Sequence, residues 1–253
     1  MSQELENSNT KLSQQQTGLG KAKLGQSMLA GSLASLSKIT LPRMFNQLVI
    51  FLLDGSGSMT FPGISGKSKG HEVHQAVINV LERLKDSKNE SSFDVALWAF
   101  ANESVSMFPI KPVIEFKLVR DCFNPCEFIK DYKKTNLQDT LISARELSLS
   151  YLEKYKDQNT KVLIIILGDG AINDYDRSLE IKESLNGNEK IVFSSILFES
   201  PAWIEKFDES VINRVKGEFS KLATSEANYM STVDPEKIRS HMIQSITKIS
   251  KIS

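Results

Sequence analysis

The sequence predicts an open, doubly wound α/β domain: a mostly parallel six-strand sheet with one short antiparallel edge and helices on both faces, in the Rossmann-like manner. Three features predict it. Residues 47–53 and 161–167 are continuous apolar runs without polar alternation, as strands covered on both sides require. The segments between such runs carry apolar residues at helical spacing. Strand-like and helix-like segments then alternate to the end of the chain, which is the order that builds a parallel sheet with crossover helices.

The elements follow in order. After the strand at 47–53, residues 69–86 place Val73, Val77, Val80, Leu81 and Leu84 on one helical face. Residues 93–100 form the second strand, and Trp98 and Phe100 at its end belong to the core. Pro109 and Pro112 confine residues 105–118 to an edge strand and a loop, because proline cannot donate to a central ladder. A helix opens at Thr135 and runs to about Tyr155, with Thr135 as N-cap and Gln138 at the capping-box position. The strand at 161–167 follows, then a helix at 174–186, a strand at 190–198 and a helix at 209–222. A short strand at 228–232 and a final helix at 234–249 complete the domain, assigned to residues 43–253. Residues 1–42 are rich in Ser, Gln, Asn and Gly, the composition of a flexible N-terminal tail. Leu24, Met28, Leu33 and Leu36 fall loosely at helical spacing there, but Gly25 and Gly31 oppose a stable isolated helix. There is no internal repeat.

Bulk properties narrow the function classes. The 253 residues carry 31 Lys plus Arg and 31 Asp plus Glu, so no basic excess points to nucleic acid. No apolar run reaches the roughly 20 residues of a membrane helix. The start lacks the basic and apolar stretches of a secretory signal, so the chain reads as cytoplasmic. Cys122 and Cys126 have no partner histidines nearby and are too few for a zinc site; they read as free thiols or, failing that, a local disulfide.

The chemistry sits where ligands of open α/β sheets bind, beyond the carboxyl ends of the strands. Asp54-Gly-Ser56-Gly-Ser58-Met59 follows the first strand, Gly168-Asp169-Gly170 follows the strand at 161–167, and Thr135 precedes a helix between them. Asp54 and Asp169 offer charged oxygens; Ser56, Ser58 and Thr135 offer neutral hydroxyls. An all-oxygen set with no nitrogen or sulfur suits Mg²⁺, Mn²⁺ or Ca²⁺. Gly55 and Gly57 let alternate residues turn toward one centre. Two converging carboxylates repel, and a cation removes that repulsion.

Asp-x-Ser-x-Ser after a buried strand, a Thr at a later helix start and an Asp-Gly after a central strand together resemble the metal-ion-dependent adhesion site of von Willebrand factor A domains. The resemblance covers about residues 45–250 and includes Thr135-Asn-Leu-Gln-Asp-Thr-Leu and the late segment Leu222-Ala-Thr-Ser-Glu-Ala-Asn-Tyr. It implies that Ser56, Ser58 and Thr135 touch a divalent cation through hydroxyls, and that Asp54 and Asp169 bind it directly or through water. It also implies a protein-binding adaptor rather than an enzyme: one open coordination position accepts an Asp or Glu of a partner protein. Gly168 departs from the pattern, since many relatives carry Thr there; the implied effect is on tuning. Without a secretory signal the chain is most similar to intracellular, single-domain bacterial members, tellurium-resistance-type proteins among them. Such relatives often work with AAA+ ATPases or with kinases and phosphatases, which are the partner classes the resemblance implies; it implies no nucleic acid and no membrane.

Rival patterns are weaker. Gly66-Lys67-Ser68 resembles the end of a phosphate loop, but Phe61 stands where the first glycine is needed, so 60–70 reads as a polar loop that shapes partner choice. Around Ser56 the residues two before and two after are Asp54 and Ser58, not the glycines of a hydrolase elbow. A metal-dependent hydrolase remains the alternative function; it needs a general base from His71, Glu72 or His74. Phe123, Phe128 and Tyr132 precede Thr135 and either rim the site or pack beneath the loop.

Overall fold

The computed structural model describes residues 45–251; the proposed tail at 1–42 and the helical spacing within it lie outside the described residues. Six strands, β1 (Asn46–Asp54), β2 (Phe93–Phe100), β3 (Ser104–Pro112), β4 (Thr160–Gly168), β5 (Ile191–Phe198) and β6 (Tyr229–Thr232), form one sheet in the order β3-β2-β1-β4-β5-β6. All neighbours pair in parallel except β2 and β3. The antiparallel edge strand β3 spans nine residues, as many as β1, so the expectation of a short edge is corrected. Pro109 and Pro112 are tolerated because β3 has only one neighbour, and the β2–β3 register shifts around Leu97.

Helices α1 (Lys69–Lys85), α2 (Gln138–Lys154), α3 (Tyr175–Glu183), α4 (Pro201–Lys206), α5 (Glu209–Leu222) and α6 (Pro235–Lys251) complete the described chain. The six-residue α4 was not anticipated from periodicity, which a helix of fewer than two turns barely expresses. Strand β1 shows why its run is wholly apolar from Leu48 to Leu53. Val49, Phe51 and Leu53 enter a core with α1 and α6, which contribute Val73, Val77, Leu81, Ile238 and Met242. Leu48, Ile50 and Leu52 enter the opposite core with Leu141 and Ala144 of α2 and Val215 and Phe219 of α5. A strand covered on both faces has no solvent side for a polar residue. No described helix is long and apolar enough to cross a membrane.

The topology also locates the site. The chain leaves β1 toward β2 on one side, and the sheet continues through β4 on the other, so the switch point lies between β1 and β4. Leu53 pairs with Leu167, so the loops after β1 and β4 emerge side by side at that point.

Candidate metal centre

Asp54 ends β1 with no exposed surface. Its Oδ1 accepts the Ser56 N–H at 2.7 Å, folding the Asp-Gly-Ser segment into a tight turn. The turn continues as a short 3₁₀ segment, Gly57–Thr60, anchored by the buried Met59. Ser56 Oγ lies 3.1 Å from Ser58 Oγ, and Ser58 Oγ donates to Asp169 Oδ1 at 2.6 Å. Four of the five oxygen-bearing residues singled out in the sequence therefore form one continuous group spanning the loops after β1 and β4.

Thr135 is positioned by a different device from the one its sequence context suggests. It does not cap the helix: α2 begins at Gln138, and the residue at its cap position, Leu137, makes no side-chain cap. Asp174, from the segment after β4, does that work, its carboxylate oxygens accepting the N–H groups of Leu137 at 2.8 Å and Gln138 at 2.9 Å. A carboxylate at a helix N-terminus satisfies donors the helix cannot and faces its positive pole. Thr135 is instead clamped to the segment after β4 through its backbone. Its N–H donates to Asn173 Oδ1 at 2.7 Å and its carbonyl accepts from Asn173 N–H at 2.8 Å. Neither capping nor clamp consumes the Thr135 hydroxyl. Gly57 N–H donates to the Tyr132 carbonyl at 3.1 Å, tying the Ser56/Ser58 turn to the segment that carries Thr135.

The electrostatics are those of an incomplete polar group. Asp54 Oδ2 is buried without a hydrogen-bond partner. Burial, and next the charge of Asp169, push the Asp54 carboxyl up to about 7. Cys126 feels the same pair: burial first, then Asp54 and Asp169, push its thiol up to about 12, so it stands neutral beside the acidic cluster. Both cysteines are free, as expected. An orphaned carboxylate oxygen, a second carboxylate nearby and hydroxyls around them fit a hard divalent cation, which Asp54, Ser56, Ser58 and Asp169 would hold, with Thr135 as the fifth donor expected from the sequence.

Glycines fix the backbone of this group. A side chain at Gly55 would meet Ile129 Cγ1 at 2.7 Å and the Pro125 carbonyl oxygen at 2.9 Å, and backbone cannot step aside cheaply. Gly168, the departure from the family pattern, has a local reason. A Cβ there would lie 3.0 Å from Phe219 Cζ and 3.1 Å from Asp54 Oδ2, so the α5 phenyl ring occupies the room a larger residue would need. Gly168→Thr is expected to destabilise by about 1–3 kcal/mol. Combined with Phe219→Leu in a urea-unfolding double-mutant cycle, it should show a favourable coupling of about 1 kcal/mol; strict additivity would mean no clash.

The surrounding residues sort clearly. Phe123 is fully buried and Phe128 packs against the same core, so both lie beneath the loop, while Tyr132 is 58% exposed and is the one aromatic of the three at the rim. His74 Nδ1 accepts the Phe123 N–H at 2.9 Å, and its rings stack, so this histidine holds a turn in place. Burial, then the neighbouring His71, lower its pKa. Glu72 is also spoken for: it receives the N–H of Ser65 at 2.8 Å and the Ser65 hydroxyl, clasping the loop at 61–68. Gly63 lies against this carboxylate: a Cβ there would sit 2.0 Å from Glu72 Oε2, so the Glu72 side chain would have to move. Lys69 went unnoticed in the sequence, where Gly-Lys-Ser-Lys-Gly reads as a solvated loop. It is 3% exposed, and its ammonium is paired with Asp169 Oδ2.

A mostly parallel sheet whose switch point gathers Asp and Ser oxygens from the loops after β1 and β4 defines a doubly wound α/β domain with a polar cluster at its carboxyl end. The chain belongs to the von Willebrand factor type A domain family, whose model matches residues 49–240. Among solved structures it is similar to proximal thread matrix protein 1 from the mussel byssus, at 17% identity and TM-score 0.55, covering 83% of this chain and 47% of that one. A form of that protein with a zinc-occupied MIDAS motif matches at 18% identity and TM-score 0.53, over 83% of this chain and 47% of that one. The conserved hypothetical protein BatB from Bacteroides thetaiotaomicron matches at 17% identity and TM-score 0.59, covering 81% of this chain and 99% of that one. The chain spans about half the length of the mussel protein. At these identities the likeness establishes the fold. Comparison with curated proteins gives no match.

Proposed function

We propose that this domain is a divalent-cation-dependent protein-binding module, an adaptor that captures an Asp or Glu side chain of a partner protein. The single observation that carries the reading is the convergence of Asp54, Ser56, Ser58 and Asp169 into one bonded group, with a buried Asp54 oxygen left without a partner. Thr135, fixed to the same loops, is the fifth donor. Bound Mg²⁺ would supply a positive charge with a coordination position open to a carboxylate from outside. The hydroxyls of Ser56, Ser58 and Thr135 would hold it without neutralising it, which leaves that charge available to the partner.

The rim describes the partner further. Phe61 is 64% exposed, Ile64 52% and Tyr132 58%, large apolar groups on the two segments bonded to the Ser56/Ser58 turn. Exposed apolar groups around a charged centre suit a protein surface that presents an acidic side chain among apolar neighbours. An AAA+ ATPase, a kinase or a phosphatase would be bound through such a surface. Catalysis finds less support: Glu72 is engaged by Ser65, and His74 by Phe123, so two of the three candidate bases are already committed.

The test is capture of partner from native lysate on immobilised protein in Mg²⁺ and in EDTA, beside Asp54→Ala and Tyr132→Ala. Retention should vanish with EDTA and with Asp54→Ala and weaken about tenfold with Tyr132→Ala, the scale of a rim aromatic worth about 1.4 kcal/mol. Equal retention in EDTA and Mg²⁺ would overturn the proposal.

A further inference from the structure

We infer that Lys69 is a tethered counter-cation that competes with the divalent ion for Asp169 and thereby sets how tightly this site takes up metal. The inference rests on the cation reading above and deepens it.

Lys69 is the first residue of α1, and two constraints place its side chain inside the site. Its backbone N–H donates to the Phe61 carbonyl at 3.0 Å, closing the loop at 61–69. At the next position a side chain on Gly70 would meet Asn124 Oδ1 at 2.5 Å and Cys126 Sγ at 2.8 Å, so the helix start is pressed against the turn at 124–126. The Lys69 stem then runs inward, and its ammonium ends on Asp169 Oδ2, both side chains almost wholly buried.

The consequence is local competition. Asp169 Oδ1 already accepts from Ser58 Oγ, and Oδ2 holds the ammonium, so both oxygens of this carboxylate are engaged. A divalent ion drawn to Asp169 meets a positive charge at hydrogen-bonding distance from the same oxygen. Like charges so close in a water-poor site repel strongly, so the ammonium must withdraw for direct coordination. A lysine can do this, since four rotatable bonds let the charge move while the stem stays packed. With Asp54 deprotonated, two carboxylates and one ammonium also leave the centre with a single net negative charge, a weaker attraction for a divalent ion than two would give. A site built this way keeps its acidic pair partly neutralised in chelator and binds metal more weakly than its five oxygens alone would allow.

Calorimetric titration of Mg²⁺ into the wild-type chain and into Lys69→Met tests this, with melting temperatures in EDTA as the second readout. The variant should bind Mg²⁺ at least tenfold more tightly while its melting temperature in EDTA falls by several degrees, because Asp169 loses its built-in partner. A purely structural lysine would lower the melting temperature and leave the affinity alone, which overturns the inference. If Lys69→Met does not fold, the wild-type protein supplies the answer: the side-chain ammonium NMR signal of Lys69 should change in proportion to added Mg²⁺, and a signal unmoved at saturation overturns it. Uptake by neither protein would refute the cation reading itself; uptake by both with equal affinity would refute the role of Lys69 alone.

Discussion

Asp54→Asn should raise the melting temperature of the protein in chelator at pH 8 and, in the same molecule, abolish its response to Mg²⁺. The two effects have one cause. The Asp54 carboxyl moves from an ordinary 3.8 to about 7, chiefly through burial and secondarily through Asp169. Between those values the native state holds a proton that the unfolded chain has released. Stability therefore falls as pH rises through that window, and above it the charged, buried carboxylate carries the full cost. A shift of about three units corresponds to about 4 kcal/mol. Part of that belongs to the pair with Asp169, so the expected gain from removing the charge is on the order of 2 kcal/mol, about 4–8 °C for a domain of this size. The asparagine keeps an oxygen to receive the Ser56 N–H but loses the charge a cation needs. Differential scanning calorimetry with and without Mg²⁺ measures both effects. A variant that melts lower than wild type in EDTA and is still stabilised by Mg²⁺ would contradict this account of Asp54.

The stabilisation given by a fixed Mg²⁺ concentration should grow steeply from pH 5.5 to pH 8. Below about 7 the ion must displace a proton from Asp54; above it the carboxylate is already bare. Uptake near neutral pH should release a proton, so the calorimetric heat should depend on the ionisation enthalpy of the buffer. The increase in Mg²⁺-dependent melting temperature is expected to exceed threefold across that range, because stabilisation depends on the ratio of ion concentration to Kd. Asp54→Asn should flatten the profile. A pH-independent response in the wild-type protein would show that Asp54 does not take part in binding.

How far the sequence revealed this protein depends on which forces act locally. Strands β1 and β4 were legible because burial on both faces disfavours polar residues, and that rule is written at every position of 48–53 and 162–167. Helix α1 was legible for the same reason in another period, its apolar residues recurring on one face. The Asp54-Gly-Ser56-Gly-Ser58 turn could be read because its constraint lies within five residues. What was not legible depends on residues far apart. Thr135 has the chemistry of an N-cap, yet Asp174, 37 residues from Leu137, performs the capping. No periodicity or propensity carries information across that distance. Gly168 looked like a departure from the family pattern, and only the position of Phe219 explains it. Lys69 was hidden by composition: a lysine among Gly, Ser and Lys is ordinarily solvated, and it takes the Lys69 N–H bond to Phe61 and the close approach of Gly70 to Asn124 and Cys126, both distant in sequence, to set it beside Asp169.

A crystal of the protein grown with Mn²⁺ and measured for the anomalous signal of that metal addresses the central claim directly. A single strong peak is expected within coordinating or water-bridged reach of the oxygens of Asp54, Ser56, Ser58, Thr135 and Asp169, with one position facing solvent. A map without a peak at those oxygens, or with the Mn²⁺ held elsewhere on the chain, would contradict the assignment of this loop cluster as the cation centre.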